Sequence, residues 1–543
     1  MKCAELLVKC LENEDVSFAF GLPGEENLEL LGALSQSEKI KTIIARDERN
    51  AAFMANAFGR LTGRPGVCFS TLGPGATNLV TGIADALLDF APAVAITAQA
   101  SSARRHKESH QYVDLLSMFR PITKWNCRVE APATTNEIVR KAFRLAAQEK
   151  QGPVHIELSE EIAEMPVDSG PIAVSKHEHS VPNEAAFNKA SAMISDAHLP
   201  VILAGHGVIR GNASGELVSF ARKTGIAVIN TFMGMGAVPA DDELFVSTIG
   251  LQARDYIQCG LDRADLIIAV GYDPVEFSPQ WWDGNKKVIH INATPAETDQ
   301  NYTAFELLGD LGPVLKILAD VVTAQKDSGY FLKLKKEIAL DMADSAFLSQ
   351  GRGISPLQII KDIRKALGRD DILISDVGAH KIWIGRFYPA YAPNTVIISN
   401  GFASMGFALP AAIAARLQNP GKKIIAAVGD GGFMMSVAEL ETAVRYKLPF
   451  VAVIFNDNGY GLIKWKQQAR CDKNFFVDLG NPDFVRLAES FGCKAYRAEH
   501  PAELFPAIDD ALQQAVPSVI DCRVDYSTNM KLTEKLGQIV CKI

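Results

Sequence analysis

The 543-residue sequence lacks any apolar run as long as a membrane-spanning helix needs, which is roughly 20 residues. It also lacks an excess of positive charge, because 63 acidic residues outnumber 55 Lys and Arg and leave a formal net charge of −8. That balance gives no electrostatic reason to expect nucleic acid or an anionic membrane as a partner. The first residues, MKCAELLVKCLENEDV, carry acids and have no continuous apolar core, so we expect no signal peptide.

Cysteine pairs with metal-binding spacing are absent as well. The nine cysteines are scattered, and none belongs to a CxxC pair. This usage predicts reduced, mostly buried thiols and therefore a cytoplasmic protein. Short repeats and low-complexity tracts are also missing, and 48% hydrophobic with 22% charged residues is ordinary for a folded protein.

Short β-rich runs alternate with helical patterns along the whole chain, which is typical of parallel sheets with crossover helices. A chain of this length is too long for one core. We therefore predict an α/β protein of three domains, each a parallel sheet with helices on both faces. The predicted segments are a first domain at 1–165, a linker at 166–187, a central domain at 188–322, a second linker at 323–354, and a third domain with a C-terminal tail at 355–543.

Two acidic residues in the third domain each follow a hydrophobic run. KKIIAAV precedes Asp430, FVAVIF precedes Asp457 shortly before its NDNG turn, and SVAELETAVRYK between them has the apolar spacing of a helix. This pattern predicts a β-α-β unit, whose right-handed crossover makes the two strands parallel. Asp430 and Asp457 should then lie at the same carboxyl edge of the sheet, where α/β proteins bind ligands.

Two carboxylates at one sheet edge repel each other unless a cation lies between them. Hard oxygen ligands suit Mg²⁺, which keeps few protein ligands and completes its shell with phosphate oxygens. Gly431 and Gly432 leave backbone N–H groups open to an anion at the helix start. The alternative is that GDGG and NDNG are two ordinary solvated turns. Their spacing and flanking strands favour a metal-diphosphate site.

This stretch resembles the thiamine diphosphate (ThDP) motif, in which GDG is followed some two dozen residues later by an Asn pair. The resemblance implies that the side chains of Asp430 and Asp457 and the carbonyl of Gly459 bind Mg²⁺, with Tyr460 beside the cofactor. It also implies that the first domain binds the pyrimidine and the third the diphosphate. One departure is Asp457, where many relatives have Asn; the catabolic acetolactate synthases share the Asp.

The first domain supplies the other half of such a site. Glu48, in IIARDERNAAF, matches the glutamate of the ThDP family that holds N1′ of the aminopyrimidine in its reactive tautomer. An acid at a helix N-terminus is otherwise usually a solvated dipole partner, and that reading stays open. FGLPGEEN and FSTLGPGATN resemble turns that line the pyrimidine pocket, with Pro23, Gly24, Gly73 and Asn78 near the cofactor.

Two further segments of the third domain resemble cofactor contacts. In SNGFASMGFALP, Met405 matches the bulky apolar residue that supports a V-shaped cofactor, although a Met filling a gap in the core is compatible with the same pattern. ISDVGAHKIW resembles the segment that meets the diphosphate through Gly378 and His380. Because Glu48 and the metal motif lie on different domains, the resemblance implies a homodimer or homotetramer with active sites at the subunit interface.

The choice among ThDP enzymes depends on SHQYVDLLSMF and VGYDPVEFSPQWW, which resemble segments of the acetolactate synthases. Gln111 matches a residue that faces the reacting carbon; an ordinary surface amide is the alternative. The implied reaction is the decarboxylating carboligation of two pyruvate molecules to 2-acetolactate and CO₂. Lys466, where catabolic relatives usually have Gln, leaves the acceptor open. Another ThDP-dependent carboligase or decarboxylase, a flavin-linked pyruvate oxidase and a non-catalytic homologue are the alternatives.

GHGVIRG in the central domain approximates a dinucleotide fingerprint after the strand PVILA. Its GxGxxxG spacing differs from the common GxGxxG, and no acidic residue ends a clear second strand. The catabolic acetolactate synthases, which this sequence resembles, lack FAD. We therefore expect ThDP and Mg²⁺ as cofactors and do not expect FAD.

Overall fold

The computed structural model describes residues 1–175, 179–249, 256–279, 282, 286–341, 347, 349, 352–471 and 473–532. Gln280 and Trp281 of VGYDPVEFSPQWW lie outside these ranges. Within the described residues, none of the helices combines the length and the hydropathy needed to cross a bilayer.

The first sheet contains six strands: β1 (Phe18–Gly21), β2 (Lys41–Ile44), β3 (Gly66–Ser70), β4 (Ala93–Gln99), β5 (Trp125–Arg128) and β6 (Pro153–Ser159). Their order is β2-β1-β3-β4-β6-β5, and all neighbours are parallel. The helices around it are α1 (Cys3–Asn13), α2 (Leu28–Ser35), α3 (Glu48–Thr62), α4 (Pro74–Leu88), α5 (Ser102–Arg105), α6 (Leu115–Phe119), α7 (Thr135–Ala147) and α8 (Glu160–Glu164).

The central sheet also contains six parallel strands: β7 (Pro200–Ala204), β8 (Val228–Asn230), β9 (Phe245–Thr248), β10 (Leu266–Val270), β11 (Lys286–Asn292) and β12 (Tyr302–Leu308). Their order, β12-β11-β10-β7-β8-β9, is the doubly wound order of dinucleotide-binding folds. The helices are α9 (Glu184–Asp196), α10 (Gly207–Arg210), α11 (Ser214–Thr224), α12 (Tyr256–Arg263), α13 (Leu311–Val321) and α14 (Gly329–Asp341). Helix α14 lies in the segment predicted as the second linker.

The third sheet contains β13 (Ile372–Ser375), β14 (Val396–Ile398), β15 (Ile424–Gly429), β16 (Val451–Asn456), β17 (Lys494–Ala498) and β18 (Ser518–Arg523). Its order is β14-β13-β15-β16-β18-β17, again all parallel, and this repeats the topology of the first sheet. The helices are α15 (Pro356–Ala366), α16 (Ala379–Phe387), α17 (Ala408–Gln418), α18 (Asp430–Ser436), α19 (Glu439–Arg445), α20 (Gly461–Cys471), α21 (Phe484–Ser490) and α22 (Pro501–Ala511).

Apolar side chains lie on both faces of each sheet, as a parallel sheet covered by helices requires. On β3, for example, Cys68 faces one core whereas Val67 and Phe69 face another. The predicted three-sheet α/β architecture is therefore confirmed. The core that contains Cys68 continues from the first domain into the third, where Phe53 packs edge-on against Phe407 with 5.7 Å between the ring centroids.

The cysteines depart from the sequence prediction at one position. Within the described residues, seven are free thiols, and five of these are buried: Cys3, Cys10, Cys68, Cys493 and Cys522. Cys259, however, is disulfide-bonded, so the expectation of reduced thiols throughout the chain is wrong at this residue. Cysteine spacing alone could not reveal it, because a disulfide depends on which residues the fold brings together.

Candidate active site

The paired acids emerge side by side at the carboxyl edge of the third sheet. Strands β15 and β16 are parallel neighbours with Gly429 opposite Phe455, so Asp430 and Asp457 leave the sheet at the same edge. The predicted parallel arrangement of the two strands is confirmed. The predicted helix between the strands is divided in two, because α18 ends at Ser436 and α19 starts at Glu439.

Asp430 is the first residue of α18 and is only 1% exposed. Its Oδ2 accepts hydrogen bonds from the backbone N–H of Gly459 at 3.0 Å and from Nδ2 of Asn481 at 2.7 Å. Its Oδ1 accepts from the N–H of Gly431 at 2.8 Å. Burial raises the pKa of Asp430, and the hydrogen bond from Asn481 opposes that rise. These bonds fix the carboxylate at the start of the helix.

Asp457 lies close enough to Asp430 for the two carboxylates to interact. Burial raises the pKa of Asp457 to about 7, and the charge of Asp430 adds to the rise. The nearest cation is the Lys464 ammonium, with Nζ 3.8 Å from Oδ2 of Asp457 and 3.2 Å from Oδ1 of Asp478. Because Lys464 interacts with both Asp457 and Asp478, it does not neutralise the Asp430–Asp457 pair, and a second cation can bind there.

The carboxylates of Asp430 and Asp457, with the carbonyl of Gly459 as the third predicted ligand, offer a metal ion only a few oxygen atoms. In the described part of the chain, no group of three or more His, Cys, Asp or Glu side chains could hold a metal by itself. Mg²⁺ suits such a set, because it takes one or two carboxylates and completes its octahedron with water and phosphate oxygens. The residues present therefore fit Mg²⁺ together with a diphosphate.

A cavity of about 160 Å³ lies beside the paired acids. It is lined by predicted site residues, namely Gly378, His380, Met405, Asp430, Gly431, Gly432, Asp457, Gly459 and Tyr460. All lining residues fall between positions 377 and 526. At Gly431 an added Cβ would lie 3.0 Å from the Tyr460 ring, so a side chain there would require Tyr460 to shift. The fold thus gathers the third-domain part of the predicted site around one cavity.

His380 forms part of the cavity wall as a neutral imidazole. Its ring is buried, stacks on Phe455 at 5.2 Å between centroids, and places Nε2 3.1 Å from the carbonyl of Asp376. Burial lowers the pKa of His380 to about 3. Because Nε2 must donate to that carbonyl, Nδ1 carries no proton. His380 therefore has no ring N–H left to donate to an anion.

The first-domain residues assemble at the carboxyl ends of their own strands. Glu48 begins α3, is 8% exposed, and accepts a hydrogen bond at Oε2 from Nδ2 of Asn78 at 3.0 Å. An added Cβ on Gly75 would lie 3.0 Å from Oε1 of Glu48, so α4 approaches the carboxylate closely. The described residues provide a donor for Oε2 and none for Oε1. Glu48 is thus a buried carboxylate with one oxygen engaged.

Gly73 and Gln111 contact each other near this carboxylate. Gly73 has φ +50°, and a Cβ there would lie 2.5 Å from the carbonyl oxygen of Gln111. Gln111 is exposed and also has a positive φ, +58°. In the neighbouring turn, Pro23 is exposed, and the N–H of Gly24 donates to Oδ1 of Asn27 at 2.9 Å. In the same turn, Glu26 is buried and accepts a hydrogen bond from the Thr71 hydroxyl at 2.9 Å.

Several residues that contact the site gave no signal in the sequence analysis. Asn481 reaches Asp430 from a loop after α20, Asp376 accepts from the N–H of Gly406 at 3.0 Å, and Tyr526 lines the cavity. Lys464 lies beside Asp457, whereas Lys466, which the sequence analysis noted, is exposed on the same helix. Motif spacing cannot find contacts that depend on loop packing and helix phase.

Family comparisons cover all three domains. Residues 1–118 match the thiamine pyrophosphate enzyme N-terminal TPP binding domain, 187–318 the central domain, and 376–522 the C-terminal TPP binding domain.

Relatives that match nearly the whole chain show which group of thiamine pyrophosphate enzymes it is similar to. The chain is 34% identical to the acetolactate synthase of Bacillus subtilis (strain 168), over 99% of this chain and 96% of the relative. It is 35% identical to the catabolic acetolactate synthase of Raoultella terrigena, over 99% and 97%. A probable acetolactate synthase large subunit from Methanocaldococcus jannaschii is 34% identical, over 99% and 94%. The chain therefore belongs to the acetolactate synthase family of thiamine pyrophosphate enzymes.

Proposed function

We propose that this protein is an acetolactate synthase that joins two pyruvate molecules into 2-acetolactate with release of CO₂, using ThDP and Mg²⁺. The observation that carries the proposal is the pair Asp430 and Asp457 at one sheet edge, beside a cavity lined by Met405, in a chain that also holds the buried Glu48. The full-length acetolactate synthase relatives support the same reaction.

When bound, ThDP would supply a nucleophilic carbon and an electron sink for decarboxylation. Asp430, Asp457 and the carbonyl of Gly459 would hold the metal. Gly378, Gly431 and Gly432 would bring backbone close to the diphosphate. Met405 would line the cofactor pocket as an apolar wall.

Glu48 uses Oε1 to hold a proton at N1′, while Asn78 fixes the other oxygen. Pro23, Gly24, Gly73 and Gln111 form the first-domain wall around the pyrimidine and the reacting carbon. Orienting two substrates where water is excluded lowers the barrier to carboligation by several kcal/mol. Exclusion of water also suppresses proton transfer to the decarboxylated pyruvate fragment, which would give acetaldehyde instead of a carboligation product.

A second copy of the chain completes the site in this account, so we propose a homodimer or homotetramer. The cavity is lined by residues 377–526, whereas Glu48 and Asn78 lie in the first domain. Apolar side chains at this face are also exposed in the single chain, namely Ile463, which lines the cavity, and Phe402, next in sequence to the lining residue Ala403. Burying such side chains against a partner is favourable, which supports an interface at this face.

We further propose that the central domain binds no FAD, because the carboxyl group of an internal glutamate occupies the position of a bound anion at its glycine turn. Oε1 and Oε2 of Glu276 accept from the N–H of His206 at 3.1 and 2.9 Å, and the Thr231 hydroxyl also donates to Glu276. A Cβ on Gly205 would lie 2.9 Å from Oε1 of Glu276, and one on Gly207 would lie 2.6 Å from Cα of Gly271. These glycines serve close packing within the domain.

Replacing Glu276 with Gln should change how stability depends on pH. Burial raises the pKa of Glu276 to about 8, and Asp273 adds to the rise. The stability contributed by such a carboxyl is fully present below its unfolded pKa of about 4.3 and is lost as pH rises through the folded value, by at most about 1.4 kcal/mol per pH unit. Gln cannot ionise, so the unfolding midpoint of E276Q relative to the parent should rise between pH 6 and pH 8. If the difference in unfolding midpoint between E276Q and the parent is the same at pH 6 and at pH 8, the raised pKa of Glu276 is contradicted.

Replacing Asn481 with Ala should weaken Mg²⁺ binding without removing a ligand. Nδ2 of Asn481 donates to Oδ2 of Asp430 at 2.7 Å and thereby orients it. Loss of a hydrogen bond that orients a metal ligand typically costs on the order of 10- to 100-fold in metal affinity. We expect a shift of that size in the Mg²⁺ dependence of ThDP binding, measured by titration calorimetry. The control is Asn474→Ala, an exposed residue of the same loop. An unchanged Mg²⁺ dependence in N481A would refute the orienting role.

Product analysis tests the proposed reaction directly. The purified protein is incubated with ThDP, Mg²⁺ and ¹³C-labelled pyruvate, and the products are identified by NMR. We expect 2-acetolactate and CO₂. Acetaldehyde as the sole organic product would identify a decarboxylase, and acetate or acetyl phosphate formed with a yellow, flavin-containing protein would identify an oxidase. Either result would overturn the proposal.

Seven free thiols support a cytoplasmic location, which we propose together with this reaction. The disulfide at Cys259 is the exception to that pattern.

A further inference from the structure

The segment that carries Met405, residues 399–406, is held by buried acids of another domain. Asp85 and Asp89 lie four positions apart at the end of α4 in the first domain, and both are 0% exposed. Buried carboxylates are costly unless their hydrogen bonds are satisfied. The partners of these two acids show what they do.

Asp89 holds the first part of the segment. It accepts from the N–H of Gly401 at 2.6 Å and from the N–H of Asn400 at 3.2 Å. Arg60 donates to Asp89 at 3.2 Å and, with the same Nη1, to the carbonyl of Ile398 at 2.8 Å. The acid and its arginine therefore both bind the chain where it leaves β14.

Asp85 holds the middle of the segment. Its Oδ1 accepts from the Ser399 hydroxyl at 2.6 Å and from the N–H of Ser404, next to Met405, at 3.4 Å. Its Oδ2 accepts from Nδ2 of Asn56 at 2.9 Å, which ties the acid to α3. Burial raises the pKa of Asp85 to about 8, and the neighbouring Asp89 adds to the rise.

The far end of the segment is anchored within the third domain. Both carboxylate oxygens of Asp376 lie 3.0 Å from the N–H of Gly406, and Lys381 donates to the carbonyl of Ser399 at 3.0 Å. Two residues within the segment, one on each side of Ser404 and Met405, have left-handed backbone: Ala403 with φ +58° and Gly406 with φ +88°. A non-glycine residue such as Ala403 keeps that conformation only when its surroundings impose it.

We propose that Asp85 and Asp89 are positioning residues that fix Met405 against the cofactor from across the domain boundary. The inference rests on the proposed function for the role of Met405, but the hold on residues 399–406 is a property of the chain itself. Removing Asp85 should therefore loosen the segment and misplace Met405, while Asp430 and Asp457 still bind the diphosphate through the metal.

The test compares Asp85→Ala with Ser399→Ala, which removes both the hydrogen bond to Asp85 and the one that the Ser399 hydroxyl accepts from the N–H of Ser404 at 3.1 Å. It also includes the conservative Asp85→Asn, which keeps Oδ1 as an acceptor. D85A also relieves the repulsion from Asp89, so folding should survive. Tyr446→Phe is the control, since it removes another hydrogen bond between the same two domains, from the N–H of Ile44 at 2.9 Å.

Hydrogen exchange is measured on peptides covering residues 399–406, without cofactor. We expect D85A and S399A to speed exchange by about tenfold or more, whereas D85N and Y446F should stay near the parent. Parental exchange in both D85A and S399A would overturn the positioning role, whatever reaction the enzyme catalyses.

Turnover with pyruvate and ThDP affinity are then measured on the same proteins. In D85A we expect kcat per cofactor-loaded site to fall on the order of 10- to 100-fold with KM and the ThDP Kd changed little. Faster exchange with parental kcat would overturn the link to Met405. A parent protein that makes no 2-acetolactate would count against the proposed function and leave the exchange result standing.

Discussion

Replacing Glu48 with Gln is expected to lower kcat for pyruvate on the order of 10²- to 10⁴-fold, the range that a positioned proton-transfer group contributes. Asn78 occupies Oε2, so Oε1 is the oxygen available to N1′ of the aminopyrimidine. An amide in its place keeps the shape but cannot take up or return a proton. Steady-state kinetics at saturating ThDP measure the loss.

The control for E48Q is Glu25→Gln, which neutralises an exposed acid in the first domain near Pro23. E25Q should retain parental turnover. Both variants should unfold near the parental temperature. In E48Q the Gln can still accept the hydrogen bond from Asn78, and in E25Q the changed side chain is exposed. Parental turnover in E48Q with normal ThDP binding would remove Glu48 from the mechanism.

Replacing Asp430 with Asn should weaken Mg²⁺-dependent ThDP binding by about 100-fold or more, beyond the 10- to 100-fold typical of residues that only orient a ligand. The substitution removes a charge from the paired acids. It can also turn an amide N–H toward the donors on Gly459 and Asn481, which now bond Oδ2. Calorimetric titration of ThDP at fixed Mg²⁺ measures the change.

An exposed acid of the same domain, Asp509 on α22, provides the control. D509N should bind ThDP as the parent does. In D430N, excess Mg²⁺ should recover part of the affinity, since the metal is the lost link. Unchanged ThDP affinity in D430N would show that the diphosphate is held elsewhere.

The sequence was sufficient to predict the architecture and the placement of the paired acids. Alternating apolar runs predicted three parallel sheets, and the strand-helix-strand spacing around Asp430 and Asp457 predicted parallel strands that end at one edge, which the register of Gly429 with Phe455 confirms. Both inferences depend on local periodicity and on the single handedness of the crossover. The roles of the individual site residues remain predictions.

Contacts made by loop packing and helix phase were beyond the same reasoning. Asn481 is 51 positions from Asp430 and reaches it through a loop without periodic pattern. Lys464 and Lys466 differ by two positions on α20, which changes the face of the helix and decides which one meets Asp457. Asp85 and Asp89 have the spacing of exposed helix acids, and only the packing of α4 against the third domain buries them.

Mixing the two inactive variants E48Q and D430N tests whether the active site is shared between two copies of the chain. If Glu48 of one copy completes the metal site of another, E48Q and D430N subunits that are dissociated and reassembled together form heterodimers with one intact site each. We expect recovery of about a quarter of parental activity, because random pairing makes half of the dimers mixed and each mixed dimer has one intact site of two. Reassembly confirmed by mass spectrometry with no recovered activity would contradict a site shared between two copies.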